Sequence, residues 1–122
     1  MPVVPNKYRG TREYGLAYAT LIIAAHNAQM LTYEGIAKLT GLPKVGAAMA
    51  AQVGQLLGEI SEDEVGSNRP MLSALVVEKN TGQTGKGFFK IAMKLNRLSG
   101  MSKTRKKAFL AKEKRALYEL WG

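Results

Sequence analysis

Cysteine is absent from all 122 residues, which removes disulfides, thiolate zinc sites and a thiol nucleophile together. Histidine occurs once, at His26, so no multi-histidine metal centre can be assembled. No apolar run approaches the roughly 20 residues of a membrane span, and the opening MPVVPNKYRGTREYG lacks the apolar stretch of a signal peptide. The expected location is therefore the cytoplasm. Catalytic constellations are missing too. Nothing resembles an HNH motif, a Ser/His/Asp triad or a pair of carboxylates with separate roles. The loop TGQTGKG is not GxxxxGK[ST], and Glu78 next to Lys79 would face opposite sides of a strand, unlike a nuclease acid-x-lysine pair. The expectation is a protein that is not an enzyme, with no metal and no cofactor.

Acids are scarce at one end of the chain. Residues 1–85 hold seven Lys/Arg and seven Asp/Glu, whereas residues 86–122 hold eleven basic residues against Glu113 and Glu119. The whole net charge of +9 thus belongs to the last third. A positive field concentrated in this way favours a polyanionic partner and speeds encounter with it.

What is present reads as a single domain: a basic arm over 1–13, a helix-turn-helix core and strand over 14–85, and basic helices over 86–122. Apolar residues at 14, 18, 21, 22, 25 and 28 give the first helix one buried face, with His26 beside the stripe and without an assigned role. Thr32 is a candidate N-cap for YEGIAKLT, with Glu34 opposing the dipole, Gly41 ending the helix and Pro43 preventing its continuation. From Val45 a further helix carries apolar residues at 45, 49, 53, 56, 57 and 60. Its other faces are small: Gly46, Ala47, Ala50, Ala51 and Gly54. Glu62, Asp63 and Glu64 follow as an acidic stretch expected to be solvated. LSALVVEK reads as a strand and NTGQTGKG as a wing-like loop with Lys86 at its tip. FFKIAMKLNRL has a helical period over 88–98 and places Lys90, Lys94 and Arg97 on its opposite face. A last helix starts at the Ser102 cap, with Phe109, Leu110, Leu117, Leu120 and Trp121 expected inward.

Ala37, Gly41 and the following helix have the spacing of a helix-turn-helix, whose second helix is presented to a DNA groove. Lys103, Arg105, Lys106 and Lys107 crowd the first turns of the last helix, where cations oppose the macrodipole by roughly 0.3–1 kcal/mol each. An anionic partner offsets that repulsion. The candidate nucleic-acid contacts are Tyr33, Lys44, Gln52, Lys86, Lys90, Lys94, Arg97, Lys103, Arg105, Lys106 and Lys107.

TYEGIAKLTGLPKVGAAMAAQVGQLL followed by LSALVV resembles the C-terminal DNA-binding domain of the alkylguanine-DNA alkyltransferases and alkyltransferase-like proteins. Tyr33, Ile36, Ala37, Gly41 and Pro43 match the family's S/T-Y-x-x-[IL]-A-x-x-x-G-x-P motif, and Val76–Val77 match its active-site strand. The resemblance covers residues 32–79 and implies a helix-turn-helix scaffold, an Ala/Gly-rich recognition helix over 46–54 and a DNA contact at Tyr33. It does not carry over the chemistry. Ala47 stands where the family has its arginine finger, and Leu72, Ser73, Ala74 and Leu75 replace Pro-Cys-His-Arg, so alkyl transfer is excluded.

The expected fold is mainly α: a winged-helix-like helix-turn-helix domain of about five helices with a small β element. The expected function is binding of nucleic acid, foremost double-stranded DNA. Two alternatives stand beside it. One is a phage-encoded inhibitor of a host defence protein or ribonucleoprotein. The other is an RNA-binding protein or nuclease toxin using the basic end and Tyr8, Tyr14, Tyr18 and Tyr33.

Overall fold

A computed structural model describes residues 3–122. Five helices surround a short buried rod. Helix α1 (Arg12–His26) starts where the Thr11 hydroxyl accepts the Tyr14 amide and buries Ala17, Leu21, Ala24 and Ala25. Strand β1 (Leu31–Thr32) leads directly into α2 (Tyr33–Thr40), capped by Thr32 at 2.9 Å from the Gly35 amide. Gly41 ends α2 at φ +81°, a left-handed conformation that costs glycine nothing, and its amide returns to Ala37 O. Helix α3 (Gly46–Gly66) is the longest and turns Val53, Leu56, Leu57 and Ile60 inward.

The chain from Met71 to Val76 is buried without a break. A strand was expected over LSALVVEK; instead Leu72–Leu75 form a 3-10 turn and only Val76–Val77 form β2. The reason is packing on every side. The turn touches α1, α3 and α5, so its side chains radiate in all directions instead of alternating between two faces. β2 pairs in parallel with β1, Leu31 opposite Val76 and Thr32 opposite Val77. Beyond it, residues 78–83 form a tight loop, closed by an antiparallel bridge between Val77 and Thr84 and by the Glu78 amide on Gln83 O at 2.8 Å.

Helix α4 (Lys86–Lys94) buries Phe88, Phe89 and Ala92, and α5 (Lys103–Trp121) buries Phe109, Glu113 and Leu117. The helix expected to run on to Leu98 stops at Lys94, because Asn96 takes φ +60° and the Arg97 amide turns back to Ala92 O. Ser102 caps α5 as expected. Leu120 does not face inward: it is 48% exposed, while Trp121 is partly buried. No helix among the described residues is long and apolar enough to cross a membrane.

The basic arm expected over 1–13 is corrected. Residues 1 and 2 lie outside the described residues, and from Val3 onward the segment lies along α3. The Glu59 carboxylate accepts the amides of Lys7, Tyr8 and Arg9 at 3.0, 2.9 and 2.9 Å. Arg9 reaches Glu62 at 2.7 Å and Asp63 at 3.0 Å. The acids expected to be solvated are thus structural. Glu59 and Glu64 are fully buried, Glu64 pairs with Arg69 at 2.8 Å and accepts the Tyr18 hydroxyl, and Asp63 accepts the Tyr14 hydroxyl. Successive acids on a helix diverge; here Glu62 and Asp63 share Arg9, while Glu59 and Glu64 meet separate donors.

Candidate nucleic-acid interface

Lys86, Lys90 and Lys94 stand at i, i+4 and i+8 on α4, all exposed. At 1.5 Å per residue they form a row about 12 Å long. The row exists because Phe88, Phe89 and Ala92 take the opposite face into the core. Arg97 was expected to extend it and does not. Past the end of the helix, Arg97 Nη2 donates to Glu113 Oε1 at 2.7 Å, and Glu113 is 1% exposed. A guanidinium committed to a buried carboxylate is not a free phosphate ligand.

On α5, Lys103, Arg105 and Lys107 are exposed. Arg105 is steadied by Ser99, whose carbonyl accepts its Nη1 at 2.7 Å. Lys106 Nζ lies 5.4 Å from the centroid of the Phe89 ring, so its stem covers an apolar edge between α4 and α5. Further along α5, Lys112 and Arg115 are exposed and Lys114 is partly so. Their absence from the expected contacts is instructive: the i, i+3 and i+4 spacing that picked out α4 was equally visible over 103–115.

The decisive electrostatic fact is pairing. Among the described residues, Arg97 is the one cation of the eleven beyond Gly85 that forms an ion pair; the other ten have no carboxylate partner. In the body of the protein, four of the seven cations are paired. Arg9, Lys38, Arg69 and Lys79 all pair with its acids. The positive field of the last third is therefore not offset from within.

A groove of about 710 Å³ opens between the start of α3 and the 78–87 loop, lined among others by Tyr33, Lys44, Met49, Gly54, Lys79 and Lys86. Lys44 is exposed in the α2–α3 turn and has no ion pair. Glu34 shares the groove but is occupied by Lys38 at 3.2 Å and Lys79 at 3.5 Å, contacts that hold its carboxyl below the ordinary range. Tyr33 is half-buried under Gly85, where a side-chain carbon would collide with its phenol. Burial raises the Tyr33 pKa and the Gly85 backbone partly opposes it, so a neutral phenol faces the groove. Ala47, Ala50 and Ala51 are exposed along α3. Gln52 Oε1 accepts Lys7 Nζ at 2.6 Å and the Tyr8 hydroxyl, which fixes the side chain and leaves the Nε2 donor without a partner among the described residues.

No protein-family model, curated protein or solved structure matches the chain. The position that the resemblance aligns with the reactive cysteine, Ser73, is buried and shares a 2.6 Å hydrogen bond with Ser61. It borders a cavity of about 30 Å³, room for a water molecule. No group of three His, Cys, Asp or Glu residues suited to a metal gathers among the described residues.

Proposed function

We propose that the protein is a non-enzymatic module that binds double-stranded DNA through a winged-helix-like helix-turn-helix and a cationic flank. In this reading α2 and α3 approach a groove, the 78–83 loop acts as the wing, and α4 with α5 contacts the phosphate backbone. The observation that carries it is the pairing pattern: ten cations of the last third lack a carboxylate, while six of the seven acids of the body, all but Glu13, meet donors of the body itself. Unpaired surface lysines release condensed counterions when they meet phosphate, which supplies affinity with little sequence information.

Fluorescence anisotropy with a labelled 20-base-pair duplex, titrated at several salt concentrations, tests the reading. The expected log–log slope is about −0.9 per neutralised phosphate. Lys90→Glu with Lys94→Glu is expected to weaken binding of every duplex alike. Unchanged affinity in that variant, or no binding by the parent protein at low salt, overturns it.

A further inference from the structure

Helix α4 is poorly equipped to stand alone. It has nine residues, no side-chain cap at Gly85, no acid in its first turn, a cation at its start and Gly87 in its second position. A helix this short is unstable in water unless tertiary contacts hold it, and the lysines on its outer face contribute repulsion instead.

A side chain from the far end of the chain reaches the same spot on α3 as Ile91 of α4. Val4 is 4% exposed although it lies in an irregular segment. The position a Cβ would take on Gly58 lies 3.4 Å from Val4 Cγ1 and 3.5 Å from Ile91 Cδ1, so the N-terminal segment, α3 and α4 converge at one point. The segment has no ladder of its own to place Val4 there. Its location is set by α3: Glu59 takes three consecutive amides, Glu62 accepts the Val4 amide at 3.2 Å, and Gln55 donates to Pro5 O at 2.6 Å.

We propose that residues 3–9 are a strap that fixes α4 on α3, making Val4 and Glu59 positioning residues for the Lys86–Lys90–Lys94 row. The role in binding rests on the DNA-binding reading above; the mechanical role does not. Hydrogen exchange on the full chain, read by mass spectrometry, separates them. In Val4→Ala and in Glu59→Gln, amides of residues 88–94 are expected to exchange about tenfold faster, the scale of a truncated buried aliphatic contact. In Val4→Ala the amides of residues 72–77 and of α1 keep their parental rates, and Val4→Ile restores slow exchange in α4; in Glu59→Gln, which also lowers global stability, α4 is expected to accelerate more than either. The same Val4→Ala protein is expected to bind the 20-base-pair duplex severalfold more weakly, with a shallower salt slope. Parental exchange in α4 in both variants overturns the strap, as does acceleration spread evenly over the whole chain. Faster exchange in α4 with unchanged duplex affinity overturns the positioning role. A parent protein that binds no duplex refutes the DNA-binding reading and leaves the exchange result to judge the strap.

Discussion

Arg97 and Glu113 face each other across 2.7 Å, the guanidinium 32% exposed and the carboxylate almost wholly buried. Removing Arg97 strands a charge that water does not reach, whereas removing a neighbouring lysine strands nothing. Arg97→Ala is expected to destabilise the fold by about 3 kcal/mol and to be visible as a lowered urea midpoint. Lys90→Ala is expected to change stability by less than about 0.5 kcal/mol.

In binding the order reverses. Lys90→Ala and Lys94→Ala each remove an unpaired cation, and each is expected to reduce the salt slope for duplex DNA by about 0.9. Anisotropy titrations of Arg97→Lys, compared at matched folded fraction, should show the parental slope, because Arg97 is already spent on Glu113.

The Glu59 carboxyl gives the fold an acid limit. Burial acts to raise its pKa, but the Lys7 amide, Gln55 and the amides of Tyr8 and Arg9 outweigh that and hold it below the ordinary carboxylate range. A depressed folded value means that the stabilisation is fully present above the unfolded pKa and is lost as pH falls through the folded one. Glu59→Gln is expected to cost about 2 kcal/mol at neutral pH. In urea melts taken from pH 7 down to pH 3, the gap between parent and variant should narrow as the pH drops below the ordinary carboxylate value.

Gly58 sits inside α3 with room for a methyl group, its nearest neighbours 3.4 and 3.5 Å from the Cβ position. Glycine in a helix interior is about 0.5–1 kcal/mol worse than alanine. Gly58→Ala is therefore expected to raise the melting temperature by a few degrees, measured by circular dichroism. Gly85→Ala is expected to lower it, since its Cβ would meet the Tyr33 phenol.

Local features were legible in the sequence because local physics makes them. The Thr32 and Ser102 caps and the left-handed Gly41 depend on residues within one or two turns, and these stand as expected. The expectation that Glu62, Asp63 and Glu64 are solvated fails because their donors lie elsewhere in the chain, at residues 3, 4, 9, 14, 18 and 69. Charge alone cannot show which carboxylates will find a partner. Arg97 was misassigned for the same reason, its acid being sixteen positions further on. The 72–75 turn was read as a strand because branched and apolar residues look alike whether they alternate between two faces or radiate to three helices. In the interface, the lysine row is visible from spacing, whereas the pairing of Arg97 with Glu113 required the folded chain.

The parallel pairing of residues 31–32 with 76–77 also bears on the order of events during synthesis. A growing chain that has just completed α2 exposes a two-residue edge with nothing to pair against, and the segment before α1 likewise waits for Glu59. The segment can settle once Glu59 is out, about halfway along the chain, whereas the edge waits for Val76 and Val77, nearly two thirds of the way. Premature release short of residue 76 would leave a fragment in which β1 has no strand to pair with.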